Sequence, residues 1–203
     1  MLDTSSYLPK LKEFEGSISY MYDDTAGNVT VGVGNLLPNA MAAQKLAFVR
    51  RADPTAKPPM LPGPATADEI KADFDNVNKQ AAGRVASYYK QFTKLDLPDT
   101  VINALLTTRV QQFTTTLIAT FPDYNTYSAE ACAGIFDMAF NLGVGKLTSA
   151  FPTFCKAVKD KDWAVASAQC NRLPPVSDSR NSWTKAQFDK AAADAATAAP
   201  AKQ

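Results

Sequence analysis

The chain has 203 residues, of which 46% are hydrophobic and 20% charged, and its formal net charge is +1. This balance is ordinary for a globular domain and gives no reason to expect nucleic acid as a partner. The three cysteines and the lack of histidine exclude histidine-dependent catalytic triads and argue against a zinc site. We therefore expect no metal and no cofactor, and carboxylates must carry any acid–base chemistry near neutral pH.

The first predicted element is a short helix that ends at Gly16, because glycine commonly follows the last turn of a helix. Leu8, Leu11 and Glu15 recur at steps of three and four, so a helix places them on one face. Glu13 falls on another face. A carboxyl group held against leucines is desolvated, which favours the protonated form that a general acid needs.

A β-hairpin is predicted over residues 17–35. The turn-forming run "DDTAGN" separates two alternating apolar series, Ile18, Tyr20 and Tyr22 before it and Val29, Val31 and Val33 after it. Gly32 and Gly34 interrupt the second strand, which indicates a bend or the close approach of a backbone or ligand. Taken singly, Asp24 is explained by turn propensity and Thr30 by strand propensity.

The rest of the chain is predicted to be mostly helical, apart from an irregular proline-rich segment at residues 54–64. Thr66 and Glu69 form a capping box at the start of one helix, and Ser128 caps another that ends at "NLGVG". Helices are predicted over residues 39–51, 67–90, 98–117, from 128 to that motif, and over 147–159, 161–171 and 182–195. The fold class is therefore α+β and predominantly helical: a single domain with an N-terminal lobe (1–65) that holds the hairpin and a helical lobe (66–203).

Cys155 and Cys170 flank a predicted helical hairpin, so they could approach each other. Free buried thiols are expected in preference to a disulfide, because the protein is expected to be made in the cytoplasm. The start of the chain shows no basic region followed by an apolar core, so no signal peptide is expected, and no integral membrane segment is expected either.

The stretch from Glu15 to Gly34 resembles the bacteriophage lysozyme family, the endolysin muramidases of the T-even phage type. The family signature is Glu-Gly, a short hairpin, and then Tyr-x-Asp-x-x-Gly-x-x-Thr-x-Gly-x-Gly. The chain has Glu15-Gly16 and then "YDDTAGNVTVGVG" from Tyr22 to Gly34, so every fixed position is filled at the family spacing. One departure is Asn35, which stands where the family often has histidine.

The resemblance implies a lysozyme-like fold with a substrate cleft between the two lobes. It implies that Glu15 is the general acid, and that Asp24 and Thr30 position and activate the attacking water. Downstream, "DMAFNLG" resembles the family's core helix, which ends at the cleft. The residues expected to bind substrate are Gly32, Asn35, Leu36, Phe140, Asn141, Leu142 and Arg180, the last resembling an arginine that approaches the catalytic acid.

The expected activity is hydrolysis, with inversion, of the β-1,4 bond between N-acetylmuramic acid and N-acetylglucosamine in peptidoglycan. The expected partner is the glycan strand, the protein is expected to be a monomer, and it would act in the periplasm or cell wall. Two contexts stay open: a phage endolysin, or a secreted antibacterial toxin with its own immunity protein. A chitin-like substrate and a non-catalytic wall-binding or phage-tail module also stay open.

Overall fold

The computed structural model describes residues 8–198, and these residues form two compact units. The hairpin unit comprises residues 8–108, and the helical unit begins at Arg109. The boundary falls inside a long helix, Asp99–Thr120. The segment 66–108 packs with the hairpin, whereas the sequence prediction assigned it to the helical lobe. The secondary structure is predominantly α-helical with small antiparallel sheets, as the α+β class predicts.

The hairpin unit contains short helices and two small sheets. In chain order its elements are α1 (Leu8–Glu15), β1 (Ile18–Asp23), β2 (Val29–Gly32), β3 (Asn35–Leu36), α2 (Ala40–Ala43), β4 (Val49–Arg50), β5 (Gly63–Pro64), α3 (Ala67–Asn78), α4 (Ala86–Tyr89) and β6 (Leu95–Asp96). One antiparallel sheet has the order β1-β2-β3 and the other β5-β4-β6. The predicted hairpin is confirmed, whereas β3 and the whole second sheet were not predicted.

The most buried residues of β1 are not its alternating apolar residues. Met21 and Asp23 are 1% and 4% exposed, whereas Tyr20 and Tyr22 are only half-buried. Tyr20 instead lies beside the cationic side chain of Arg51, whose guanidinium carbon is 6.0 Å from the ring centroid. An aspartate therefore lies on the inner face of the hairpin.

Two predicted helices of this unit are shorter in the structure. The capping box at Thr66 is confirmed, but α3 ends at Asn78 and the chain turns through Gly83 at φ +73° before α4 begins. The prediction of one helix over 67–90 is therefore wrong. The helix predicted over 39–51 is limited to α2, because Val49 pairs with both neighbouring strands of the second sheet.

The helical unit is built around a buried helix. Its elements are the end of α5 (Asp99–Thr120), then α6 (Ala129–Leu142), α7 (Val144–Ala150), α8 (Pro152–Asp160), α9 (Trp163–Gln169) and α10 (Asp178–Ala198). Ser128 caps α6 as predicted, and residues 131–139 of that helix are all buried. At Gly134 a Cβ atom would lie 2.7 Å from Cζ of Phe188, so this position lets α6 and α10 pack closely.

All three cysteines are free and buried, as predicted for Cys155 and Cys170. Burial raises the pKa of the Cys132 thiol to about 12, so this group stays protonated and unreactive. Among the described residues, no helix combines the length and the apolar character needed to cross a bilayer.

Candidate functional site

Asp24 organises the loop that joins β1 and β2. Its Oδ1 accepts hydrogen bonds from the backbone N–H groups of Ala26 and Asn28, each at 2.9 Å. Its own N–H donates to the carbonyl oxygen of Asn28 at 3.0 Å, and Gly27 takes a φ of +80°. The sequence folds this way because an aspartate can hydrogen-bond the backbone two residues on, and glycine tolerates the left-handed conformation.

These hydrogen bonds also set the charge of Asp24. The backbone N–H of Asn28 contributes most to lowering the pKa of this carboxyl group, and the Asn28 side chain and the Ala26 N–H lower it further. Desolvation opposes them but does not prevail. Asp24 is therefore ionised at neutral pH, which is the state required of a general base.

Thr30 lies on β2, directly opposite Tyr22 of β1 and Leu36 of β3. It is 4% exposed, and its Oγ1 hydroxyl donates to the carbonyl oxygen of Asn28 at 3.0 Å. Because a carbonyl oxygen can only accept, the hydroxyl hydrogen is committed to this bond. Any further partner of Thr30 Oγ1 must therefore donate to it.

Glu15 is the last residue of α1 and is exposed, so the expected burial of this carboxyl group against the leucines is wrong. Leu11 is buried at 3% exposure, whereas Leu8 is only half-buried. Glu15 lies one helical turn beyond the buried Leu11. The chain then leaves the helix through Gly16 at φ +77°.

Three residues that follow Thr30 were predicted to bind substrate. Gly32 is buried at φ +68°, and a Cβ atom there would lie 3.3 Å from Cγ2 of Ile102, so both the backbone conformation and the tight packing favour glycine. Asn35 is half-buried, and Leu36 is 53% exposed on the short outer strand β3. Leu36 is therefore the apolar side chain of the three that is presented to solvent.

The helical unit holds the other predicted binding residues. Phe140, Asn141 and Leu142 form the last three positions of α6 and are half-buried, unlike the fully buried residues before them. The guanidinium carbon of Arg109 lies 4.7 Å from the centroid of the Phe140 ring. Nη1 of Arg172 lies 3.5 Å from Oδ1 of Asn141.

Arg180 belongs to a buried polar network that the sequence did not predict. Its Nε donates to Oδ1 of Asp137 at 2.8 Å, and Nη2 of Arg172 lies 2.8 Å from Oδ2 of the same carboxylate. The Thr184 hydroxyl also lies 2.6 Å from Asp137 Oδ2. The available signal was a lone aspartate within the otherwise apolar stretch 131–140 of α6, because a buried charge needs ionic or hydrogen-bonding partners.

The structure thus brings Asp24 and Thr30 together through Asn28 within the hairpin unit, and it places Asn141 and Arg180 around the Asp137 network in the helical unit. Asn28 is the residue of the hairpin site that sequence reasoning missed. Within residues 8–198, no group of three or more cysteine, aspartate or glutamate side chains is arranged to hold a metal ion. No protein-family model matches the chain, and no curated protein matches it significantly.

Proposed function

We propose that the protein is a peptidoglycan hydrolase that cleaves the β-1,4 bond between N-acetylmuramic acid and N-acetylglucosamine with inversion. The observation that carries the proposal is the arrangement of Asp24 and Thr30. The two residues implied to hold the attacking water are joined through one residue, Asn28, within the loop that bears the signature.

The chemistry of these two groups supports a water-holding role. Asp24 is ionised, and the hydrogen of the Thr30 hydroxyl is committed to Asn28, so both groups can only accept hydrogen bonds from a water. A water can donate one hydrogen to the Asp24 carboxylate and the other to the Thr30 hydroxyl oxygen. It then keeps a lone pair for attack on the anomeric carbon. Asp24 then takes the proton that this water loses.

Glu15 is proposed as the acid that protonates the leaving glycosidic oxygen. An inverting enzyme holds its two carboxyl groups roughly 6.5–9.5 Å apart so that a water fits on the far face of the sugar. Because Glu15 is exposed, the exclusion of water that this role requires has to come from the bound glycan itself. The exposed Leu36, in the same unit as Glu15, Asp24 and Thr30, is a proposed sugar-contacting surface.

The products of digestion test this proposal. Purified peptidoglycan is incubated with the protein, new reducing ends are reduced with borohydride, and the fragments are identified by mass spectrometry. We expect reduced N-acetylmuramic acid ends. In a parallel digest without borohydride, proton NMR should show that the α-anomer forms first. If the protein releases reducing ends from chitin and no reducing ends from peptidoglycan, its substrate is a chitin-like polymer.

A second candidate is a non-catalytic module that binds peptidoglycan or belongs to a phage tail. Two observations favour it: Glu15 is exposed, and Asp24 has a sufficient structural role in its turn. This candidate predicts that the protein sediments with insoluble peptidoglycan but releases no reducing ends. Sedimentation together with release supports the hydrolase.

The same chemistry serves a phage endolysin or an antibacterial toxin that acts in the periplasm of a rival cell. Both act on the glycan strand. The chain can be expressed with and without a periplasmic export signal. Lysis that requires the signal shows that the protein acts from the periplasm. Protection by a protein encoded beside the chain supports the toxin.

A further inference from the structure

Asn28 contacts both residues of the proposed water site by separate groups. Its backbone N–H donates to Asp24 Oδ1 at 2.9 Å, and its carbonyl oxygen accepts from the Asp24 N–H and from Thr30 Oγ1, each at 3.0 Å. These two donors fill both lone pairs of that carbonyl oxygen. The backbone of Asn28 therefore fixes Asp24 and Thr30 relative to each other.

The side-chain amide of Asn28 adds a contact that the backbone cannot make. Its Nδ2 lies 3.3 Å from both Oδ1 and Oδ2 of Asp24, so the amide bridges the two carboxylate oxygens. Oδ1 also accepts from the backbone N–H groups of Ala26 and Asn28, whereas this amide is the side-chain group in contact with Oδ2. A carboxylate oxygen can accept more than one hydrogen bond, so Oδ2 can also accept from a water.

We propose that Asn28 is a positioning residue for the hydrolysis: its side-chain amide fixes the rotation of the Asp24 carboxylate, so that Oδ2 accepts a hydrogen bond from the attacking water. The inference rests on the proposed function, since it assigns Asp24 the role of base. It goes beyond the resemblance to phage lysozymes, in whose signature this position is unspecified. Asn28 is exposed and touches the reaction only through Asp24 and Thr30.

The pKa of Asp24 should depend on the Asn28 side chain. The amide hydrogen bond is one of the interactions that lower the pKa of Asp24, and the neighbouring titratable groups that interact with this carboxyl are Asp23 and Tyr22 on β1. Asn28→Ala removes the amide and keeps the three backbone hydrogen bonds, whereas Asn28→Asp replaces the donor with a like charge. The titration midpoint of Asp24 should therefore rise from wild type to Asn28→Ala and further to Asn28→Asp.

The experiment follows the Asp24 carboxyl carbon by NMR during a pH titration of the full chain. The same proteins are assayed for the pH dependence of kcat and KM on peptidoglycan. We expect Asn28→Ala to raise the titration midpoint, to move the acidic limb of the kcat profile to higher pH, and to lower kcat about tenfold with little change in KM. Asn78→Ala, at an exposed asparagine of α3, is the matched control and should behave as wild type.

The two readouts separate failure of the inference from failure of the proposed function. An Asp24 midpoint that is unchanged in Asn28→Ala overturns the inference, whether or not kcat falls, because a loss of activity alone would report only a disturbed loop. Release of no reducing ends by wild type, Asn28→Ala and Asn78→Ala alike would overturn the proposed function. The inference, which assigns Asn28 to that reaction, would fall with it.

Discussion

Arg172 and Asp137 form an ion pair in which both side chains are almost completely enclosed: Nη2 lies 2.8 Å from Oδ2, and the side chains are 1% and 2% exposed. Arg180 approaches the other oxygen of the same carboxylate. Asp137 thus neutralises two buried guanidinium groups. Its removal would leave both arginines without their carboxylate partner. This makes the network a sensitive point for the stability of the helical unit.

Asp137→Asn should therefore lower the free energy of unfolding by about 3 kcal/mol, the cost expected when one member of a buried ion pair is removed. The measurement is urea denaturation followed by circular dichroism. Asp160→Asn is the matched control, because Asp160 pairs with Lys156 where both side chains are more than half exposed. Its effect should be small. Equal losses in the two variants would show that the buried network contributes no more than a surface pair.

Asp23 should make the hairpin less stable as the pH rises. Burial, and then the charge of Asp24, raise the pKa of this carboxyl group, and its Oδ1 has no hydrogen-bond partner within the described structure. Its folded pKa lies above the unfolded value, so its contribution to stability is present at low pH and lost as the pH rises through the folded pKa.

Asp23→Asn should consequently raise the free energy of unfolding by about 1 kcal/mol at neutral pH, because the variant avoids burying a negative charge beside Asp24. The gain should disappear in acid, as shown by thermal unfolding at several pH values. Asp53→Asn should change stability in the opposite direction, because hydrogen bonds from Thr55 lower the pKa of Asp53. A gain for Asp23→Asn that persists in acid would contradict this explanation.

Gly32 should tolerate no side chain. Its φ of +68° is costly for any other residue, and a Cβ atom would lie 3.3 Å from Ile102. Gly32→Ala should destabilise the protein by about 1–2 kcal/mol, measured by chemical denaturation. Gly145→Ala is the control: it lies in α7 with nothing within 4 Å of the added atom, so it should not destabilise the protein.

Asp24→Asn should lower the rate of reducing-end release by about 100-fold or more, because an amide cannot take a proton from the water. The turn should survive, since asparagine also accepts hydrogen bonds from the backbone ahead of it. Asp53→Asn is a matched control, because Asp53 Oδ1 accepts from the backbone N–H groups of Thr55 and Ala56 in the same manner. An equal effect of the two substitutions on release would remove Asp24 from the mechanism.

Local patterns in the sequence predicted much of the fold. The end of α1 at Gly16, the hairpin, the capping box at Thr66 and the cap of α6 at Ser128 depend on residues close together in the chain. The sheet β5-β4-β6 was missed because strands of two residues show no periodicity and pair segments far apart in sequence.

Parts of the candidate site depended on contacts that no local pattern reports. The alternation of Ile18, Tyr20 and Tyr22 predicted a strand but could not show that Met21 and the charged Asp23 are its most buried residues. Helical spacing could place Glu15 on the same face as Leu11. It could not show that Leu11 is buried and Glu15 exposed. Asp24 and Thr30 both hydrogen-bond the backbone of Asn28, a position that the motif leaves unspecified.

The most direct test of the proposed hydrolase is the release of reducing ends from purified peptidoglycan by wild type and by Glu15→Gln, measured side by side. Glu13→Gln is the control, because Glu13 is an exposed glutamate of α1 that pairs with Lys10. We predict that wild type and Glu13→Gln release N-acetylmuramic acid ends at similar rates and that Glu15→Gln is slower by about 100-fold or more. Release by Glu15→Gln at the wild-type rate would contradict the account.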